Sequence, residues 1–395
     1  MTSLQAVDPS ASRLGPHLRL ERVLYAYRLD PSQKYGSLEE QIFELARAMR
    51  ARGGFLLPLF IAPMSREAAA RYERAGLRAE VLDLVRFELK TLRRLVSLIR
   101  REQIDLVHWS FYEPLINPYL WCLSVVMPGL RHRYTEHNSR PDPVAGAPRG
   151  GPKEWVKRTL MRRYERIYGI SDFVLLAHQT HYPARKAARW RYFVNTDRFA
   201  PDAAARVNLR TRMGIADHQF VIVVIANLIR QKGVDVAIRA LARRPVETVL
   251  WVVGSGEQQE SLRGLARELG LADRVRFLGM CHDVAPFIQA ADCLCCPSVW
   301  GEAVGLVNLE GMSCGTPVVA SAVGGIPEFL RDGETGLLVP PGDVEALADA
   351  FRRLADDPSL RATLGRNARE AALREHSLAS QIEGQIAEYL QRNWS

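Results

Sequence analysis

The chain reads as an α/β protein built from two parallel-sheet domains. Three observations carry that expectation. Short apolar runs rich in Val, Ile, Leu and Phe alternate with amphipathic stretches over nearly all of the 395 residues, the pattern of strand-helix-strand units whose sheets are covered on both faces. The length exceeds the roughly 250–300 residues at which a single hydrophobic core stops growing. The rhythm also lapses once, at "RYFVNTDRFAPDAAARVN" (191–208), where polar residues and a proline gather and a boundary between domains is expected.

In the first half, strands are expected at "RVLYAYRL" (22–29), "FLLPLFIA" (55–62), "IDLVHWS" (104–110), "HRYTEH" (132–137) and "DFVLLA" (172–177). Between the first two, "SLEEQIFELARAMRARG" (37–53) has the spacing of an amphipathic helix, with Ser37 as its cap and Glu40 completing a capping box. In the second half, "FVIVVIAN" (220–227), "TVLWVVG" (248–254), "RVRFLG" (274–279), "DCLCCPS" (292–298), "PVVAS" (317–321) and "GLLVP" (336–340) repeat the scheme with helices between them. The chain closes on an amphipathic helix, "ASQIEGQIAEYLQRNW" (379–394), which needs a surface to dock on.

Composition narrows the class. A content of 47% hydrophobic and 25% charged residues belongs to ordinary soluble globular proteins and argues against disorder. The longest apolar runs, "YLWCLSVVMPGL" and "FVIVVIANLI", fall short of the ~18 residues a spanning helix needs. The N-terminus carries no apolar signal region, so a cytoplasmic protein is expected. Three of the six cysteines crowd into "ADCLCCPS", which reads as a buried strand using cysteine as a small hydrophobe, and no metal site is expected.

The net charge of +9 is uneven: residues 1–200 carry 33 Lys+Arg against 20 Asp+Glu, and the remainder carries 20 against 24. Two stretches account for the excess, "KTLRRLVSLIRR" (90–101) and "KEWVKRTLMRRYER" (153–166). They read either as solvated helix faces or as attraction to anionic lipid or a pyrophosphate-bearing acceptor, which would hold the protein at the inner face of the cell membrane. Nucleic acid is not an expected partner, because no nucleic-acid motif accompanies the charge.

The chemistry concentrates in "CPSVWGEAVGLVNLEGMSCGTPVV" (296–319). It parses as a strand, a glycine-bearing loop with Glu302, a helix from about Gly305 to Ser313 that carries Glu310, and Gly315 as terminator. Ligands of open α/β sheets bind at the carboxyl ends of strands, and the N–H groups of Gly305, Leu306 and Val307 at a helix start suit a phosphate. A phosphate there repels Glu302, so the two carboxylates are expected to hold hydroxyls of a sugar and a ribose.

Other candidates lie at further strand ends. "ANLIRQKGVDVAI" (226–238) puts Arg230 and Lys232 where they could neutralise a diphosphate, and "VVGSGEQ" puts Gly254 at a tight turn near the ligand. "RYTEHNS" sets His137 just beyond a strand, and "KYGSLEEQ" brings the Gly36 backbone to a helix entrance.

Together these motifs resemble the family 4 retaining glycosyltransferases of the GT-B fold. The match is densest from Phe220 to Leu354, through "KGVD", "GSGE", the E-x7-E pair and "VGGIPEFLRDGETGLLVPPGD". The resemblance implies two Rossmann-like domains facing across a cleft: a tail over 1–18, an acceptor-side domain over 19–192, a nucleotide-sugar domain over 193–376, and a helix over 377–395 crossing back to the first domain.

It further implies that Glu310 holds the ribose, Glu302 the transferred sugar and Lys232 the diphosphate. His137 would reach the sugar from the first domain, and the backbones of Gly36 and Gly305 to Val307 would complete the cradle. No cofactor or metal is implied beyond the nucleotide-diphosphate sugar donor, and the acceptor would be a glycan, a lipid-linked saccharide or a small molecule. Where the family has an arginine five residues before the lysine, this chain has Asn227, with Arg230 nearby; the usual Gly-Gly of the first loop is Gly36-Ser37. A sugar-nucleotide epimerase of the same fold and a non-catalytic partner in glycan biosynthesis are the alternative readings.

Overall fold

A computed structural model describes residues 20–28, 30–31, 36–112, 117–137, 151–178, 184–243 and 247–390. The expected tail over 1–18, Asn138 and the last five residues lie outside them.

The first sheet has seven parallel strands: β1 (Arg22–Tyr27), β2 (Phe55–Phe60), β3 (Glu80–Val81), β4 (Leu106–Ser110), β5 (Arg131–Glu136), β6 (Arg166–Gly169) and β7 (Ala187–Arg189). They are ordered β3-β2-β1-β4-β5-β6-β7. The second has six: β8 (Phe220–Ile225), β9 (Thr248–Val253), β10 (Val275–Gly279), β11 (Cys293–Cys296), β12 (Val318–Ser321) and β13 (Leu337–Val339), in the order β10-β9-β8-β11-β12-β13. In each sheet the order reverses beside the first strand, which opens the crevice where α/β proteins take ligands.

All six strands expected in the second half are present. Apart from the edge strand β10, which is half-buried, they are nearly continuous buried runs, as helices covering both faces require. In the first half "DFVLLA" is not a strand. It forms helix α6 (Asp172–His178), whose start is capped by the Ser171 hydroxyl accepting from Val174 N at 3.2 Å. Only one face is buried, through Phe173 and Val174, while Leu176 is exposed; a short apolar run fits either period, and here the cap decides. The sheet position is filled by β6, a few residues earlier.

The start of α1 (Ser37–Ala51) is shifted by one residue from the expected capping box, and only the half of the box made by the N3 side chain forms. Gly36 is the N-cap, and its N–H donates to Glu39 Oε2 at 2.8 Å. Glu40 instead pairs with Arg71 and accepts from Asn195 Nδ2 at 2.9 Å. Ser37, displaced from the cap, is free to turn its hydroxyl into the cleft.

The chain crosses from the first sheet to the second through the segment after Arg189 and returns after α13 (Pro358–Glu375). Helix α14 (Leu378–Glu388) then packs on α1. Gln385 Nε2 donates to Arg191 O at 2.7 Å, and Tyr168 OH donates to Glu388 Oε2 at 2.8 Å. Tyr389 is fully buried, its OH 2.6 Å from His108 Nδ1 and its carbonyl accepting from Glu21 N at 3.0 Å.

Candidate functional site

Between the carboxyl ends of the two sheets lies a cavity of about 720 Å³. Gly36, His137, Asn227, Lys232, Gly254, Glu302, Gly305, Leu306, Val307 and Glu310 all line it. Arg230, the remaining nominated residue, does not; it is exposed on a 3₁₀ turn (Arg230–Lys232) whose last residue alone faces the cavity.

That turn and the helix after it position Lys232. Gly233 has φ +61°, and a Cβ there would lie 2.0 Å from Pro297 O, so only glycine lets the turn sit against the end of β11. Val299 N donates to Gln231 O at 2.9 Å and fastens the two loops. Lys232 Nζ thereby donates to Glu302 Oε1 at 2.5 Å, and Ser298 Oγ donates to the same oxygen at 2.7 Å. The carboxylate side chain is 8% exposed and the lysine 28%. The carboxylate is held largely out of water, while the lysine end is open to the cavity. The neighbouring Cys296 thiol is pushed up to about 11, by burial first and by the Glu302 charge second, and stays protonated.

Helix α11 (Leu306–Ser313) begins at Gly305, in the left-handed region at φ +68°. Its first N–H groups have no partner within the helix by position, which makes the start a donor surface toward the cavity. One turn on, Glu310 accepts a hydrogen bond from Ser37 Oγ of the opposite domain. Gly254, with φ +133°, packs so closely that a Cβ would stand 1.9 Å from Ala226 O; the backbone of the β9 loop is therefore pressed against the end of β8.

His137 enters from the first domain at the end of β5. Its ring stacks on Phe111, with centroids 4.1 Å apart and an 11° interplanar angle, and faces Tyr192 at 5.5 Å. Nε2 lies 2.5 Å from Ser110 Oγ, and Nδ1 is paired with Tyr192 OH. Burial holds its pKa down to about 3 against the raising effect of Glu136. The imidazole is neutral and fixed by a hydroxyl on each nitrogen, so it supplies no positive charge to the cavity.

Phe111, Tyr192, Ser298 and Arg198 also line the cavity and were not singled out as site residues. Arg198 Nη2 donates to Asp283 Oδ1 at 3.0 Å. The sequence marks it only as a basic residue in the linker "VNTDRF". Among the described residues no group of three or more His, Cys, Asp or Glu side chains is arranged to hold a metal ion.

Comparison with known proteins places this geometry. The family model described as Glycosyltransferase Family 4 matches residues 38–198, and the model for Glycosyl transferases group 1 matches residues 206–371. A GDP-mannose-dependent alpha-(1-6)-phosphatidylinositol monomannoside mannosyltransferase of Mycolicibacterium smegmatis is 38% identical over 226 residues, 54% of this chain and 57% of that protein. A D-inositol 3-phosphate glycosyltransferase of Saccharomonospora viridis is 41% identical over 195 residues, 46% of this chain and 44% of that one. The chain thus spans about half the length of the curated relatives it matches.

Among solved structures, HepE of Anabaena in complex with UDP and glucose superposes with a TM-score of 0.77 at 24% identity, covering 93% of this chain and 98% of that one. A glycosyltransferase from Rickettsia africae superposes at 0.78 and 17% identity over 94% and 98%. With its two halves matched in order by the two family models and its architecture superposing on these neighbours, the chain belongs to the group 1, family 4 glycosyltransferases and has the GT-B fold.

Proposed function

We propose that the protein transfers a sugar from a nucleotide-diphosphate donor to a hydroxyl of a glycan or lipid-linked acceptor, with retention of configuration. The observation that carries this reading is the Lys232–Glu302 pair at 2.5 Å beside the start of α11 in the interdomain cavity. A diphosphate laid on the N–H groups of Gly305 to Val307 draws Lys232 toward its developing charge as the sugar bond breaks. Glu302, loosened from the lysine and still held by Ser298, takes sugar hydroxyls; Glu310 takes those of the ribose. The leaving phosphate accepts the acceptor proton on the same face, so no side chain is needed as nucleophile, and neutral His137 lies across the cavity to orient the sugar.

The acceptor side is read from the first domain's surface. The loop before α3 (Leu89–Arg101), the first residue of α3 and helix α4 (Pro118–Val126) expose Phe87, Leu89, Trp121, Val125 and Val126. Arg86, Lys90, Arg93 and Arg94 are exposed on the same segment, outnumbering the exposed Asp83 and Glu88, and Phe87 packs on Tyr119 with ring centroids 5.3 Å apart. Exposed apolar side chains on a segment with an excess of cations fit an anionic lipid surface, and no helix among the described residues is long and apolar enough to cross a membrane. A lipid-linked acceptor reached at the inner face of the membrane is the reading this supports. Val125→Asp with Trp121→Ala should lower cosedimentation with vesicles containing phosphatidylglycerol; equal binding would count against it.

The deciding experiment is thermal shift against UDP, GDP and ADP, because a ligand bound only by the native state raises the melting temperature. A rise with one base, followed by product analysis with its sugar nucleotides, supports the reading, and no rise with any of them refutes it. Conversion of donor without an acceptor would favour the epimerase.

A further inference from the structure

Beyond Glu302 along the chain, "VGGIPEF" (323–329) makes a second bridge between the domains. Gly324, with φ +57°, lies so close to the Glu302 loop that a Cβ would stand 2.1 Å from Glu302 O, and Gly325 N donates to that same carbonyl at 2.7 Å. A Cβ on Gly325 would come within 2.8 Å of the Ser171 side chain of the first domain. One turn of 3₁₀ helix (Ile326–Glu328) then delivers Glu328 across the gap. Its Oε2 accepts from Asp172 N and its Oε1 from Phe173 N, both at 2.8 Å, so it caps α6 with both oxygens. Arg189 Nη1, at the end of β7, lies 2.5 Å from Glu328 Oε2 and 2.8 Å from Asp172 Oδ1. The guanidinium also stands 5.7 Å from the centre of the Phe329 ring.

We infer that Glu328 is a closure clamp and a positioning residue: by capping α6 across the cleft it holds the domains together and, through Gly324 and Gly325, sets the height of the Glu302 loop. The chemistry favours this use of a carboxylate. A negative group at a helix start meets two unpaired N–H donors and the positive end of the helix dipole, and those bonds exist only when the domains meet. When they part, Glu328 is solvated and the turn after Gly325 loses its anchor on the first domain. The backbone hydrogen bond to Glu302 then ties the sugar-facing loop to a segment with one support fewer. Closure and the position of Glu302 are thus one equilibrium.

The catalytic half of this inference rests on the glycosyl-transfer reading; the closure half does not. Glu328→Ala should increase the radius of gyration seen by small-angle X-ray scattering of the ligand-free protein. With the nucleotide that stabilises the wild type, its affinity should stay within about threefold, because the donor cradle is intact, while kcat falls about 10- to 100-fold. Glu328→Gln, which keeps one acceptor oxygen and loses the charge, should fall between the two. In a double-mutant cycle with Arg189→Ala the effects on kcat should be non-additive. A wild-type scattering curve and wild-type kcat in Glu328→Ala would overturn the inference, and so would a loss of nucleotide affinity as large as the loss of kcat, which marks a merely structural role. Should Glu328→Ala not fold, Glu328→Gln and Arg189→Ala are judged by the same criteria. A wild type that binds no nucleotide refutes the function reading, and scattering still judges the clamp.

Discussion

Lys232→Ala tests the centre of the site. The mutation removes the Nζ donor 2.5 Å from Glu302 Oε1 and leaves Ser298 donating to that oxygen at 2.7 Å. Removing one partner of a fully buried ion pair costs about 3–5 kcal/mol. Here the lysine side chain is 28% exposed and a hydroxyl still serves the carboxylate, which lowers the expected loss of stability to roughly 1–2 kcal/mol. Function should suffer separately. A charge-assisted hydrogen bond to the diphosphate contributes roughly 1.5–3 kcal/mol, so nucleotide-dependent turnover should fall about 10- to 100-fold.

The two effects separate in the double variant Lys232→Ala with Glu302→Gln. Glutamine carries no charge to strand, so the urea midpoint should recover toward the wild type while nucleoside-diphosphate affinity, read by calorimetry, should not. If Lys232→Ala binds nucleoside diphosphates as the wild type does, Lys232 does not touch the phosphates. If the double variant is less stable than Lys232→Ala alone, the pair does not owe its energetics to the buried charge.

Other outcomes follow from the same structure. Tyr389→Phe strips a buried hydroxyl from His108 Nδ1 and should cost about 1–3 kcal/mol in urea unfolding; an unchanged midpoint would show that α14 is not anchored there. Gly254→Ala, at φ +133° with a Cβ 1.9 Å from Ala226 O, should lower the melting temperature and abolish the nucleotide-induced shift, and a normal shift would refute the close backbone contact. Burial holds His132 and His376 down to about 4, His137 to about 3, and His108 well below the ordinary value of 6.5. Their protons bind the unfolded chain first, so stability is complete above about 6.5 and drains away as pH falls toward 3 to 4. Glu21, pushed up to about 6 by burial against the pull of Arg133 and Arg131, works in the opposite sense between 4.5 and 6. With the histidines in the majority, the melting temperature should fall between pH 7 and pH 5, and a flat or rising profile would contradict this.

Which parts were legible in the sequence follows from the range of the forces involved. The second sheet was readable because most of its strands are buried apolar runs bounded by Gly or Pro, and the E-x7-E segment because its glycines, acids and helix start are local to one another. β3 and β7 escaped because two and three residues are too few to show a period. "DFVLLA" misled because its helical cap, Ser171, precedes the apolar run. Contacts across the cleft were beyond reach: Ser37 meets Glu310 and Glu328 meets Asp172 through the docking of separate domains, and no neighbouring residue announces either pairing. Arg230 was nominated by charge alone, and the 3₁₀ turn ending at Lys232 leaves it exposed and outside the cavity lining.

The return of α14 has a mechanical consequence. The chain crosses between domains twice, and the crossings lie side by side: Val194 bridges Ser377, with Val194 N donating to His376 O at 2.8 Å. A single strand between two bodies lets them swivel, twist and slide. Two plies laid parallel and hydrogen-bonded behave as a strap hinge, compliant to bending and stiff to torsion. A paired crossing of this kind favours a swing over a twist, the motion that would keep Ser37 facing Glu310 and Glu328 facing α6.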